Sequence, residues 1–154
     1  MRLTLICVGK LGRAPEAALA LAYAERASAA GRSLALSPVE IIEVEARKPG
    51  RAAEAEAILA KAAGATLIAC DERGRAVTSR AFAAQLATLR DEGVRRLAFA
   101  IGGADGLDEA VTEAARERLS FGPQTWPHAL VRVMLAEQVY RAITILGGAP
   151  YHRD

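Results

Sequence analysis

The last five residues, Pro150-Tyr151-His152-Arg153-Asp154, set a phenol, an imidazole and a guanidinium at consecutive positions. A ring beside a titratable imidazole and a forked cation is a set that stacks on a base and pairs with phosphate. A frayed terminus would carry the same residues, and most chain ends fray. Two interior stretches also stand out. Ile101-Gly102-Gly103-Ala104-Asp105-Gly106 holds three glycines in five residues, so its N–H groups can approach a ligand without Cβ obstruction. It is not GxGxxG, and no GxxxxGK[ST] occurs, so a tight turn and a ligand loop both stay open. Phe121-Gly122-Pro123-Gln124-Thr125-Trp126-Pro127-His128 has two prolines and a glycine that keep it irregular around a large aromatic. It reads either as a packed connector or as the wall of a nucleoside-sized pocket. His128, next to Pro127 at a helix start, fits a structural role.

These stretches must hang on regular elements. Apolar runs predict strands at Leu3–Val8, Val39–Val44, Ala65–Cys70, Arg96–Ile101 and Leu119–Phe121. Helical periods predict helices at Pro15–Ala30, Ala52–Ala63, Arg80–Asp91, Asp108 to about Arg116, and Pro127 to about Leu146. Asp71-Glu72-Arg73-Gly74 reads as a turn, and Thr78 or Ser79 as a helix cap. Strands alternating with helices give an α/β fold with a mainly parallel sheet flanked by helices, in a single domain over residues 1–154. Ligands on such sheets bind beyond the carboxyl ends of the strands, where both glycine-bearing loops fall.

Composition narrows the class. The chain has 154 residues, 52% of them hydrophobic, and a net charge of +2, too weak to advertise nucleic-acid binding by itself. Its cations are 17 Arg against 3 Lys, a skew that fits either a genome's base composition or forked donors suited to phosphate, and composition leaves the two open. Cys7 and Cys70 sit in apolar runs and read as reduced core residues, with too few partners for a disulfide framework or a metal site. The N-terminal run lacks a long apolar core and a small-residue cleavage site, so a first strand is expected there and a cytoplasmic location. Along the last helix, Leu130, Val131, Val133, Met134, Leu135, Val139, Ile143 and Ile145 spread over most of the circumference. Its second face is expected to meet another copy, giving a homodimer.

Cys70-Asp71-Glu72-Arg73-Gly74, the glycine loop, the run from Pro127 to Ala142 and Pro150-Tyr151-His152-Arg153 together resemble the RlmH family along the whole chain. This is a small SPOUT-class methyltransferase family acting on N3 of a pseudouridine in helix 69 of 23S ribosomal RNA in the assembled ribosome. The resemblance implies a C-terminal trefoil knot, a homodimer, and S-adenosylmethionine held in the knot loops at the interface. Position by position, it implies cofactor contacts at Cys70, Gly103, Phe121, Gly122, Pro123, Gln124, Thr125 and Trp126. It also implies roles in RNA binding and catalysis for Tyr151, His152 and Arg153.

Two stretches depart from the family pattern. Cys70 stands where Leu is usual, and Ser120-Phe121-Gly122-Pro123-Gln124-Thr125 replaces Ser-Leu-Ser-x-Met-Thr. Pro123 deletes one backbone N–H from that loop. For the reaction, the imide proton at N3 must leave, or charge growing on the flanking carbonyls must be stabilised. His152 or Arg153 is expected to do this, with Arg132 as a further charge or phosphate contact. The alternatives are a ribosome-associated RNA-binding protein of the same fold without turnover, and an unrelated flavodoxin-like or nucleotide-dependent enzyme.

Overall fold

Alternation along the central strands sorts their side chains into two cores. In the first strand, β1 (Arg2–Val8), Leu3, Leu5 and Cys7 point to one face while Ile6 and Val8 point to the other. Its neighbour β4 (Arg96–Ile101) divides in the same way, with Leu97, Phe99 and Ile101 opposite Ala98 and Ala100. Both faces are therefore apolar and both must be covered, which is why these strands read as unbroken hydrophobic runs.

The computed structural model describes residues 1–153. Its sheet also contains β2 (Val39–Val44), β3 (Thr66–Ala76) and β5 (Glu117–Ser120), in the order β2-β1-β4-β3-β5 with every pair parallel. Three helices cover one face: α1 (Pro15–Gly31), α3 (Ser79–Asp91) and α5 (His128–Leu146). The other face carries α2 (Arg51–Ala62) and the short α4 (Glu109–Ala114). Burying a Leu, Ile or Phe is worth about 1.5–3 kcal/mol, so Leu3, Leu5, Ile6, Leu97 and Phe99, all fully enclosed, anchor the sheet. On α1, buried Ala20, Ala24 and Ala27 recur at helical spacing, and their small size lets α5 lie close. The Thr78 hydroxyl caps α3 by accepting from Ala81 N at 3.2 Å.

Two expectations need correction. The turn expected at Asp71–Gly74 lies inside β3, which continues to Ala76 after a shift of register against β5 between Cys70 and Arg75. Asp71 does fold its carboxylate onto Arg73 N, at 3.0 Å, but the strand resumes instead of leaving the sheet. Gly74 permits this, because a Cβ there would stand 2.7 Å from the backbone of Arg118 on β5. The last strand also begins earlier than its apolar residues suggest, at Glu117, since its exposed edge tolerates charged side chains.

Candidate active site

The carboxyl ends of β3, β4 and β5 open into a cleft of about 1110 Å³. One wall is the glycine loop between β4 and α4. Gly106 N donates to Gly103 O at 3.1 Å, and a Cβ on Gly102 would lie 2.7 Å from Gly106 C, so the loop closes on itself only with glycine at 102. Asp108 then caps α4 by accepting from Ala110 N at 3.1 Å. The floor includes Cys70, Asp71 and Ile101, and the opposite wall is Phe121, Gly122, Gln124, Thr125 and Trp126. Ser120 ties this wall to β3: its hydroxyl lies 3.2 Å from Glu72 O, 3.0 Å from Gly122 O and 3.2 Å from Gly122 N.

Of the expected cofactor residues, the fold therefore gathers Cys70, Gly103, Phe121, Gly122, Gln124, Thr125 and Trp126 around one cavity. Pro123 is exposed and does not line it, so the N–H that proline removes is not taken from the cleft wall. Burial pushes the Cys70 thiol above its ordinary range and the Cys7 thiol up to about 12, so both are neutral small apolar groups near pH 7. Glu54 of α2 approaches the glycine loop: a Cβ on Gly103 would be 3.1 Å from its Oε1. With Asp71, Glu72, Asp105, Asp108 and Glu109 also on the rim, the cleft offers carboxylates to a cationic group and hydroxyls, and apolar surface at Ile101, Leu107, Val131 and Trp126 to a flat ring. Among the described residues, no group of three or more His, Cys, Asp or Glu side chains is placed to hold a metal ion.

The described part of the tail is seated on α5. Tyr151 Oη donates to Glu137 Oε1 at 3.0 Å, and the same oxygen accepts from Arg141 Nη2 at 2.5 Å and Nε at 3.0 Å. The Tyr151 ring meets Tyr140 edge-on at 4.7 Å between centroids, and Arg141 lies 4.9 Å from the Tyr151 ring centre. Arg26 of α1 stacks 4.5 Å from the Tyr140 centroid and closes the seat from the other side. Burial, then hydrogen bonding with Tyr23 and Glu137, raises the Tyr151 phenol well above its usual value, so it remains a proton-bearing donor. Arg141 Nη1 lies 3.3 Å from His152 Nδ1, so the imidazole of the tail rests against the same guanidinium that Glu137 holds. Tyr151, His152 and Arg153 do not line the cleft of their own chain. Glu137 and Arg141 pair at i,i+4 on one helix, but nothing in the sequence connects them with Tyr23 or Arg26.

Arg132 does not fit the expected phosphate contact. Its side chain is 2% exposed, with Nη1 on Glu43 Oε1 at 2.5 Å and Nη2 on Gly9 O at 3.0 Å. It faces the sheet and fastens α5 to the ends of β1 and β2, so it has no free donor directed to solvent. Burial would raise the Glu43 carboxyl, but the Leu11 N–H and the Arg132 guanidinium outweigh it and hold Glu43 below its usual value. The partner lies 89 residues away, which is why no local pattern revealed it.

The family model described as "Predicted SPOUT methyltransferase" matches residues 1–152. Ribosomal RNA large subunit methyltransferase H of Caulobacter sp. (strain K31) is 65% identical over 154 residues, covering 100% of both chains. The proteins of that name from Caulobacter vibrioides and Phenylobacterium zucineum are 64% and 62% identical; each alignment covers 100% of this chain, with 99% and 100% of the respective relative. Among solved structures, a probable methylase family protein from Haemophilus influenzae Rd KW20 aligns with a TM-score of 0.55, over 99% of this chain and 70% of its own, at 13% identity, a likeness of fold. A glycine-loop cleft at the carboxyl edge of this parallel sheet, in a chain matched from end to end by these relatives, leads to one conclusion: the chain belongs to the SPOUT methyltransferase family and is a methyltransferase.

Proposed function

We propose that the chain methylates large-subunit ribosomal RNA, at N3 of a pseudouridine in helix 69 of the assembled ribosome, and that it works in the cytoplasm as a homodimer with a knotted C-terminal half. The observation that carries this reading is the cleft itself, lined by all but Pro123 of the residues that the family resemblance assigns to the cofactor, in a chain 65% identical over its full length to a protein named for ribosomal RNA methylation. S-adenosylmethionine suits its donor set: carboxylates for the sulfonium, ammonium and ribose hydroxyls, apolar walls for adenine, and glycine backbone for close approach. When bound, that cofactor supplies an electrophilic methyl group. Cys70, Gly103, Phe121, Gly122, Gln124, Thr125 and Trp126 hold and orient it, and alignment of this kind is worth several kcal/mol of barrier.

The acceptor nitrogen is an imide whose proton must leave and whose flanking carbonyls gain charge. His152 and Arg153 supply imidazole and guanidinium groups for those oxygens while water takes the imide proton, and Tyr151, whose O–H is given to Glu137, seats the tail. A second copy brings these groups to the cleft. An apolar groove of about 520 Å³, lined by Leu19, Tyr23, Val133, Met134 and Glu137, adjoins Phe121 and Gly122, which also line the cleft. Leu19, in its lining, remains 49% exposed. Two-fold pairing through the groove sets the partner's tail seat, held on Glu137, against this copy's cleft wall.

The test incubates ribosomes with labelled S-adenosylmethionine and maps the modified nucleoside, with light scattering to read the oligomeric state. Label in N3-methylpseudouridine of helix 69 and a dimeric mass are expected. A ribosome left unlabelled, or a strictly monomeric active enzyme, overturns the reading.

A further inference from the structure

Cations at the carboxyl edge of the sheet fall into two sets. Lys10, Arg75 and Arg118 are committed to Glu45, Glu117 and Asp71, at 2.5, 3.5 and 3.8 Å. Arg13, Arg47, Lys48 and Arg51 are exposed, and among the described residues none of them makes an ion pair or a side-chain hydrogen bond. These four lie on two adjoining segments, the loop after β1 and the loop that runs from β2 into α2. Gly9 N donates to Val44 O at 2.9 Å and Leu11 N to Glu43 Oε1 at 3.0 Å, so the segments are fastened together. Arg51, the first residue of α2, also lines the cleft. The nearby carboxylates Glu43 and Glu45 are already used by Arg132 and Lys10. The result is a ridge of cations without ion-pair partners that reaches the cleft at Arg51, on a chain whose net charge is only +2.

We infer that this ridge is a phosphate-binding surface that holds RNA across the cleft mouth. The inference rests on the reading of RNA as substrate, and deepens it by assigning contacts remote from the terminal tail. Cations held side by side without an ion-pairing partner repel one another, and the ridge crowds the start of α2, whose dipole adds positive charge there. A polyanion relieves both. Arg and Lys contacts to phosphate position a nucleic acid without reading its sequence. The ridge therefore sets affinity and register, while the cleft and tail select the atom.

The experiment compares the full-length protein with an Arg13→Gln/Arg47→Gln/Lys48→Gln variant and an Arg95→Gln control, which removes an exposed cation at the opposite edge of the sheet. Binding to ribosomes is followed as a function of salt, with S-adenosylmethionine titrated calorimetrically and methyl transfer resolved into KM and kcat. Three lost phosphate contacts should lower the slope of log affinity against log salt by about 2 to 3 and weaken binding roughly 10- to 100-fold at moderate salt. The KM for ribosomes should rise, with kcat, cofactor affinity and the control unchanged. Equal affinity and slope for triple variant and parent overturn the inference, as does tighter binding to vesicles of anionic lipid than to ribosomes. A parent that binds with a ridge-dependent slope yet transfers no methyl group overturns the functional reading and leaves the ridge standing.

Discussion

The cleft and the tail seat are assembled from different materials. The cleft is made largely of main chain: a glycine loop closed by Gly106 N on Gly103 O, a strand edge passing Gly74, and an irregular wall pinned by one hydroxyl, Ser120. The tail seat is made of side chains, with Glu137 at its centre and the rings of Tyr140 and Tyr151 clasped by Arg26 and Arg141. Main-chain sites need particular backbone conformations and accept varied side chains, whereas a side-chain seat depends on each charged or aromatic group. Cys70, which departs from the family pattern, lines the main-chain site, Pro123 stands exposed outside its lining, and the tail carries no departure.

The largest effect that separates the two is expected from His152→Ala with Arg153→Ala. Methyl transfer should fall by about 10²–10⁴-fold with S-adenosylmethionine affinity unchanged, as measured by single-turnover assay and calorimetry. Parallel loss of both would merge the two regions into one site. Arg132→Met is next: it takes the donor from Glu43 and Gly9 O and should cost about 1–3 kcal/mol, a drop in Tm of roughly 5 °C. Adding Glu43→Gln should restore much of that loss in thermal melts, because the unpaired carboxylate is gone. Gly102→Ala should open the glycine loop and weaken cofactor binding by about tenfold or more, while the tail's hydrogen-bond partners, read by NMR, stay in place.

The smallest effect concerns acid. Because the folded protein holds Glu43 below its usual value, its contribution to stability is complete above the unfolded value, about 4.3, and is lost as pH falls through the lower folded value. Tm measured downward from pH 5 should fall more steeply in the parent than in Glu43→Gln.

Local chemistry made much of this legible. Val39–Val44 and Arg96–Ile101 are read from the sequence at their observed limits, since apolar β-rich runs bounded by loops leave little choice. The glycine loop likewise shows itself through spacing. What escaped was long-range. Arg132 looked free because Glu43 is distant in sequence, and Asp71–Gly74 looked like a turn because its strand continuation depends on close packing with Arg118. The Tyr23–Arg26–Tyr140 stack joins helices separated by most of the chain and leaves no periodic trace.

The strand order has a consequence for how the protein is made. β1 and β2 can pair as soon as both have emerged during synthesis, but β3 touches neither of them and must wait for β4, which inserts between β1 and β3. The wall from Phe121 to Trp126 and the helix that bears the tail come later still. A nascent chain thus exposes an unpaired, apolar β3 until nearly two-thirds of the polypeptide has been translated, and a prematurely terminated product would possess a sheet but no binding cavity.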